Sequence, residues 1–295
     1  MCHSTLPPIS LPRQLIRTFN PLSIAVIEIR RHLKCHTAAS SRVYTVQLST
    51  TNRQPPTVSV QLCTALHTAV RLARGLAISY NIMEYKLITE DRYDDVVRHL
   101  CDNFFADEPL NKAAGLCRRG EGHRELERLC YETLKDNLSL MAVNENNDIA
   151  GVLLNGVVHP HDIVQAHERI ELSDDERYKK IFRLLNEHNL RANIFGHLNV
   201  ERAFEVRILS VDGRFRGQGI AKELVRRCET IAKDFGFKLM KADATGIFSQ
   251  KILKSNGFKV FSEFYYDKYT DEFGKPILLV EAPHIKLQLM YKLLE

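Results

Sequence analysis

The 295-residue sequence has no C-x-x-C pair, and its seven cysteines are odd in number. Zinc sites and disulfide frameworks use paired cysteines at regular spacings, so neither is expected. Cys101, Cys130 and Cys228 lie among apolar helical positions, which predicts buried, unreactive thiols. The sequence also lacks an apolar run of the roughly 18 residues that a membrane span needs. These absences favour a protein of a reducing compartment with neither a membrane partner nor a metal.

Acidic residues are almost missing from the first 82 positions, where Glu28 stands against nine lysines and arginines. The whole chain has 41 basic and 36 acidic residues, so residues 83–295 hold 32 basic and 35 acidic ones. Binding to nucleic acid would require a clustered basic face. A region with a net charge of −3 does not provide one, and we expect no nucleic-acid partner.

Residues 1–82 differ from the rest in composition, with repeated prolines, Ser/Thr-rich patches and no sustained hydrophobic period. We expect a poorly ordered basic extension there and a folded domain at 83–295. Two interpretations of the extension stay open. An arginine-rich, acid-poor leader is typical of a mitochondrial transit peptide; the alternative is an upstream extension of the reading frame, which leaves the cytoplasmic location that we expect.

From residue 83 onward, helical and strand-like periods are interleaved, which predicts a mixed α/β domain. The first half predicts a strand at 84–88, helices at 91–105 and 121–137, a hairpin of strands at 140–144 and 149–158, and a helix at 174–190. The second half predicts a strand at 203–211, a helix at 217–235, a strand at 238–244, a helix at 247–254 and strands at 258–266 and 285–291. We expect antiparallel hairpins in the first half of the sheet and mostly parallel strands in the second. Ser173 or Asp174 is the expected cap of the helix at 174–190.

The most informative motif joins the strand at 203–211 to the helix that follows. It reads Arg214-Phe215-Arg216-Gly217-Gln218-Gly219-Ile220-Ala221. The glycines allow backbone N–H groups to approach an anion, and a helix start adds unpaired donors and a positive dipole end. Lys222 occupies the place of the third glycine of a GxGxxG fingerprint, and the Gly-Lys-Ser/Thr ending of a Walker loop is missing. The motif therefore predicts a pyrophosphate site of another kind.

This motif matches R-x-x-G-x-G, the acyl-CoA loop of the GNAT superfamily of N-acetyltransferases. The segment at 254–258, where a helix closes into a strand, is also similar to that superfamily. Residues 103–111, with the sequence NFFADEPLN, resemble more specifically the F-F-x-D-E-P-L-N segment of insect-type arylalkylamine N-acetyltransferases. Those enzymes acetylate dopamine, serotonin, tyramine, octopamine and related amines. The resemblance covers residues 83–295 and implies the GNAT fold, a central mixed sheet flanked by helices.

The resemblance implies where the acyl donor, acetyl-CoA, binds. Backbone groups of Leu209, Ser210 and Val211 are expected against the pantetheine arm. Arg207 and Asp212, at strand ends, are expected to be solvated. Around the pyrophosphate we expect the loop and helix start formed by Arg214, Arg216, Gly217, Gln218, Gly219, Ile220 and Ala221.

The resemblance also implies the catalytic residues, with Glu108 of D-E-P-L-N as general base. An alkylammonium with a pKa near 10 must lose a proton before it attacks a thioester, and partial burial of the carboxylate would raise its pKa and help. Matched hydroxyls fall at Thr245 and Ser249, of which Ser249 would protonate or hydrogen-bond the departing CoA thiolate. Structural alternatives remain open: Asp107 and Glu108 would cap a turn before Pro109, and the hydroxyls would cap the helix at 247–254.

The identity of the general acid stays open, because Leu253 occupies the position of the tyrosine acid found in many GNAT enzymes. Direct transfer through a ternary complex is implied, since no cysteine is paired with an activating base. Phe104, Phe105 and the aromatic residues of 258–269 are candidates to line a pocket for an aryl group. The alternative is that they pack in the core, where aromatic residues of strands and helix ends are found more often. The histidines at 159, 161, 188 and 197 are interpreted as surface or packing residues.

We therefore expect a monomeric enzyme whose partners are a small-molecule amine and acyl-CoA. Two alternatives remain open. The first is an N-acyltransferase of polyamines or agmatine, or one that uses long-chain acyl-CoA. The second is a non-catalytic acyl-CoA-binding module with the same fold, because fold alone does not define activity.

Overall fold

The computed structural model describes residues 83–295, so the predicted extension at 1–82 lies outside the described residues. The first half folds into β1 (Glu84–Leu87), α1 (Tyr93–Asn103), α2 (Pro109–Ala114), α3 (Arg124–Leu134), β2 (Leu140–Val143), β3 (Ile149–Val158), α4 (Pro160–Glu171) and α5 (Glu176–Ala192). The second half folds into α6 (Ile194–Leu198), β4 (Ala203–Val211), α7 (Ile220–Asp234), β5 (Leu239–Ala244), α8 (Ile247–Ser255), β6 (Lys259–Tyr265) and β7 (Lys286–Leu293). In this part of the chain the longest helix has 17 residues, and no helix has the length and apolar character needed to cross a membrane.

The strands form one seven-stranded sheet in the order β1-β2-β3-β4-β5-β7-β6. Only the β4–β5 pair is parallel; all the other neighbours are antiparallel. The predicted mixed α/β fold class is confirmed. The expectation of a mostly parallel second half is wrong, because β7 inserts between β5 and β6 and runs antiparallel to both.

Helices cover both faces of the sheet, which explains why β2 and β3 are hydrophobic without alternation. Met141 and Val143 of β2 pack into one core cluster, together with α1, α3 and α5. Their neighbours Leu140 and Ala142 pack into a second cluster with α7 and α8. We call these the α1 face and the α7 face of the sheet.

The buried thiols that the sequence predicts are found in both clusters. Cys130 lies in the core of the α1 face and Cys228 in that of the α7 face, each with 0% exposure. Burial raises the pKa of both thiols, so neither is poised as a nucleophile. Cys101 is partly exposed rather than buried.

Three helices were not predicted, namely α2, α4 and α6, which span 6, 12 and 5 residues.

The predicted cap of α5 is also corrected. The cap is Asp175, whose Oδ1 accepts a hydrogen bond from the N–H of Arg177 at 2.8 Å. Ser173 lies two residues before this cap and accepts instead from the N–H of Asp175 at 3.2 Å.

β4 separates from β5 halfway along its length, which opens the sheet. The parallel ladder holds three residue pairs and ends where Val206 faces Ala242. β4 nevertheless continues to pair with β3 as far as Val211. A register shift opposite Leu154 and Asn155 leaves Arg207 without a partner in β3, and such a bulge bends a strand and increases its twist. Residues 207–211 thus have one backbone edge without a strand partner in the described part of the chain.

Candidate active site

A cavity of about 490 Å³ lies on the α1 face, between the sheet and helices α2 to α5. Its size is in the range of small-molecule sites. Phe104 and Phe105 line it, as expected, but no residue of 258–269 does. For that segment the core alternative holds, because Phe264 and Tyr266 pack into the hydrophobic core. Further apolar lining comes from Leu110, Leu126, Leu129, Ile181, Phe182 and Ile208.

Glu108 lies in the cavity wall as the N-terminal cap of α2. Pro109 occupies the first helical position, where its fixed φ suits a helix start. The Oε2 atom of Glu108 accepts a hydrogen bond from the N–H of Asn111 at 2.7 Å, and Oε1 accepts one from Thr245 Oγ1 at 2.6 Å. Glu108 thus has a capping role, but it caps the helix that begins at Pro109 and not a turn before it. The same side chain also lines the cavity.

Burial raises the pKa of Glu108 above the usual value for a glutamate. Hydrogen bonds from Thr245 and from backbone N–H groups of α2 act in the opposite direction and offset only part of this effect. A carboxylate with a raised pKa is a stronger proton acceptor at neutral pH than a solvated one. The side chain is thus held in a fixed position with the protonation chemistry that a general base needs.

β5 presents a polar row to the cavity. Lys241 and Asp243 alternate along the strand and so share one face, and Thr245 follows directly after the end of the strand. All three line the cavity. The residues between them pack into the core of the α7 face. The sequence analysis identified Thr245 but missed the other two. Their signal was present, since two charged residues alternate there within an otherwise apolar strand.

The two predicted hydroxyls have different surroundings. Thr245 contacts Glu108, whereas Ser249 Oγ donates to the carbonyl of Gly246 at 2.9 Å within its own helix and does not line the cavity. Neither hydroxyl caps α8. The N–H of Ile247 donates instead to His284 Nδ1 at 3.2 Å, so the capping alternative for the hydroxyls is wrong.

A core residue occupies the position at which many related enzymes have a tyrosine acid. Leu253 is 2% exposed and packs in the core of the α7 face. Tyr266 lies nearer to Glu108, and its hydroxyl donates to the carbonyl of Thr245 at 2.6 Å. Burial raises the pKa of Tyr266, which makes it a weak acid. Its contact fixes the backbone beside the Glu108–Thr245 pair.

The loop between β4 and α7 has the geometry of an anion site. Gly217 and Gly219 have φ values of 79° and 83°, a left-handed conformation that glycine adopts without strain. A Cβ at either position would meet no heavy atom within 4 Å, so the space beside the loop is open. α7 begins at Ile220 with no side-chain cap. Its first N–H groups are therefore available to an anion, which the helix dipole also favours.

Both arginines of this loop are held by protein groups. Arg214 Nη2 pairs with Asp212 Oδ2 at 2.7 Å. Arg216 donates from Nε to the carbonyl of Val211 at 3.0 Å, and its Nη2 lies 3.5 Å from Asp107 Oδ2. The charge of each arginine is thus offset by an aspartate beside it. Asp212 is 7% exposed, so the expectation that it is solvated is wrong.

Arg207 is likewise not solvated, because the bulge in β4 leaves it packed over Gly156, where its guanidinium fills the space of a side chain. It donates to Glu205 Oε2 at 2.9 Å and to the carbonyl of Val157 at 3.0 Å. Lys241, only 1% exposed, pairs with the other oxygen of Glu205. Burial by itself would raise the pKa of Glu205, but the charges of Lys241 and Arg207 outweigh it and hold the pKa at about 2.

Two histidine sites add to the sequence interpretation. His99 is buried under β4, with Nε2 3.0 Å from the hydroxyl of Ser210, and burial lowers its pKa to about 4. A neutral His99 thus positions one of the predicted pantetheine residues. At the start of α4, one side-chain nitrogen or oxygen atom from each of His159, His161 and Asp162 lies within 4.8 Å of the other two. This proximity was not predicted, and it follows from capping, because Asp162 Oδ2 accepts from the N–H of His159 at 2.8 Å.

Comparison with known proteins places this site in a family. Residues 108–258 match the Acetyltransferase (GNAT) family. The chain is 49% identical to arylalkylamine N-acetyltransferase 2 from Aedes aegypti, with a TM-score of 0.71 over 73% of this chain and 100% of that one.

Two further structures share the fold at lower identity. Mosquito arylalkylamine N-acetyltransferase like 5b is 22% identical, with a TM-score of 0.66 over 72% of this chain and 100% of that one. The Drosophila melanogaster polyamine N-acetyltransferase, which forms N-acetylagmatine, is 18% identical, with a TM-score of 0.65 over the same shares.

The resemblance inferred from the two sequence motifs is thus confirmed. The family uses acetyl-CoA as acyl donor and an amine as acceptor. The chain belongs to the GNAT family of acetyltransferases and is an acyltransferase.

Proposed function

We propose that the protein is an acetyl-CoA-dependent N-acetyltransferase of small arylalkylamines such as dopamine, serotonin, tyramine and octopamine. The observation that carries the proposal is Glu108, a carboxylate of raised pKa fixed in the wall of a cavity with aromatic lining. The 49% identical mosquito relative, an arylalkylamine N-acetyltransferase, supports the substrate class.

In the proposed reaction the amine attacks acetyl-CoA directly in a ternary complex. At pH 7 the deprotonation of an alkylammonium costs about 4–5 kcal/mol. Glu108 accepts this proton, either directly or through a water molecule. The free amine nitrogen then forms a bond to the thioester carbonyl carbon, the C–S bond breaks, and CoA leaves as a thiolate that takes up a proton.

The acyl donor is proposed to bind where β4 separates from β5. The free backbone edge of Leu209, Ser210 and Val211 would pair with the amide groups of the pantetheine arm. The N–H groups of the loop at 214–221 would hold the pyrophosphate. Ser249, in the first turns of α8, is proposed to hydrogen-bond the departing thiolate.

The test is CoA release by the full chain with acetyl-CoA and a panel of amines. Dopamine, serotonin, tyramine and octopamine are expected to turn over with kcat/KM at least tenfold above agmatine and spermidine. Colorimetric titration of the free thiol measures the rate, and mass spectrometry of the product identifies the acetylated nitrogen. Turnover restricted to agmatine or spermidine would contradict the proposal.

A polyamine or agmatine acetyltransferase is the second candidate, and the charge of the cavity favours it. Seven carboxylate residues line the cavity against four basic ones. Such an excess attracts cationic amines in general, and a polycation more than a monoamine. The aromatic lining favours the first candidate, and the amine panel separates the two.

Thr245→Val is expected to raise the pH at which kcat/KM reaches half of its plateau. The hydrogen bond from Thr245 lowers the pKa of Glu108, and valine keeps the shape of threonine without this donor. The pKa of Glu108, and with it the acid limb of the profile, would therefore move upward. The measurement is kcat/KM for one amine between pH 5 and 9. Ser249→Ala removes a hydroxyl that does not contact Glu108 and serves as control, so the acid limb of its pH profile should stay in place. An acid limb that stays in place or moves to lower pH in Thr245→Val would contradict the assignment of Glu108 as the group that titrates.

A further inference from the structure

A second polar site lies in the cavity wall, beyond the Glu108–Thr245 pair, and the proposed transfer chemistry does not use it. It consists of Asp243 on β5 and Asn189 on α5, and Asn189 is only 6% exposed. The amide nitrogen of Asn189 donates to Asp243 Oδ2 at 2.9 Å and to the carbonyl of Leu185 at 3.0 Å. Because both partners are acceptors, they face the NH2 group of the amide, which fixes the orientation of the amide. Its oxygen, Oδ1, contacts neither of them.

Two oxygens of this site lack hydrogen-bond donors. Asn189 Oδ1 and Asp243 Oδ1 are both buried and accept no hydrogen bond from the described residues. A buried acceptor without a partner is unfavourable. Buried polar groups are therefore usually satisfied, by protein, water or ligand. Two such acceptors on adjacent side chains of a substrate cavity point to a donor group on the substrate.

The charge around the site favours a neutral donor. Asp243 Oδ2 lies 3.4 Å from Lys241 Nζ, Lys241 also pairs with Glu205, and Glu205 pairs with Arg207 at 2.9 Å. This cluster of two carboxylates and two cations has no net charge. A second cationic group of a substrate would lie beside Lys241 without a free counter-charge. A hydroxyl fits better, because it donates to an oxygen acceptor and can accept from an ammonium group.

The position along β5 suits a ring hydroxyl. Asp243 precedes Thr245 by two residues and both line the cavity, a separation of about 7 Å for extended chain. We propose that Asp243 and Asn189 recognise the ring hydroxyl of the amine, so that the enzyme selects hydroxylated arylalkylamines over their unsubstituted analogues. The inference rests on the proposed function, in which the amino group of the same molecule lies at Glu108.

The experiment compares two pairs of amines that differ by one hydroxyl: tyramine with phenethylamine, and serotonin with tryptamine. With the full chain and acetyl-CoA, kcat/KM is expected to be about tenfold higher for the hydroxylated member of each pair. Asn189→Leu removes one acceptor and should bring the ratio of kcat/KM values within each pair close to one. Asn186→Leu, which changes another buried asparagine of α5 in the cavity wall, should leave the ratios unchanged.

Asp243→Asn provides a second variant of unchanged size if Asn189→Leu folds poorly, and it should also lower the ratios. Equal kcat/KM within each pair for the unmodified enzyme, with all four amines acetylated, would overturn hydroxyl recognition while the proposed function stands. If no arylalkylamine is acetylated, the proposed function fails, and calorimetric binding of tyramine and phenethylamine then decides the inference. Tighter binding of tyramine that is lost in Asn189→Leu would support the site; equal binding would overturn it.

Discussion

Replacing Glu108 by glutamine is expected to lower kcat/KM for the amine by about 10² to 10⁴ at pH 7, the usual contribution of a general base. Glutamine is the sharpest substitution because Glu108 also caps α2. Its amide oxygen can still accept from the N–H of Asn111, so the helix start is retained while the base is lost. Steady-state CoA release with a saturating acyl donor measures the effect.

The size of the loss should depend on pH. As the pH approaches the pKa of the amine, free amine becomes abundant and the variant should recover relative to the unmodified enzyme. In the unmodified enzyme, kcat/KM should rise with pH through the raised pKa of Glu108. Glu272→Gln changes an exposed glutamate between β6 and β7 and should have no effect. An unchanged rate in Glu108→Gln at pH 7 would remove Glu108 as the base.

The same substitution should not destabilise the fold at neutral pH. The pKa of Glu108 in the folded state is raised, so its contribution to stability is present below the unfolded pKa and is lost as the pH rises through the folded pKa. Glutamine does not ionise. The melting temperature of Glu108→Gln relative to the unmodified enzyme should therefore increase between pH 5 and pH 8, in the opposite direction to activity. Differential scanning calorimetry at the two pH values measures this difference.

Elements with a strong local pattern could be predicted from the sequence. The strands at 149–158 and 203–211 have the predicted bounds, because a sustained apolar run marks the first and an alternating pattern marks the second. The order of strands could not be predicted in the same way. The insertion of β7 between β5 and β6 depends on pairing between residues far apart in the chain, for which local periodicity holds no signal.

The parts of the site that lie in short sequence motifs could be predicted. The acyl-CoA loop and Glu108 lie in contiguous segments with recognisable residues. The contact between Glu108 and Thr245 joins residues 137 positions apart, and only the resemblance related them. Asn189 and Asp243 belong to no motif. Their importance follows from burial and from acceptors without donors, and these properties exist only in the folded chain.

Gly217→Val is expected to weaken CoA binding by about 10-fold to 100-fold, which corresponds to the loss of one or two hydrogen bonds to a charged group. Gly217 has a φ of 79°, and a β-branched residue is strained in that region. The loop should shift toward negative φ and turn N–H groups away from the pyrophosphate. Isothermal titration of the full chain with CoA measures the change in Kd.

Strain by itself would also lower the stability of this variant, so the control must share it. Gly274 has a φ of 77° and, like Gly217, would place a Cβ where no heavy atom lies within 4 Å. It belongs to the exposed loop between β6 and β7, which contributes nothing to the proposed CoA site. Gly274→Val should therefore lose a similar amount of stability and bind CoA with unchanged affinity. Equal affinities in the two variants would show that the loop at 214–221 does not hold the pyrophosphate, whereas a loss confined to Gly217→Val would assign the anion site to its backbone N–H groups.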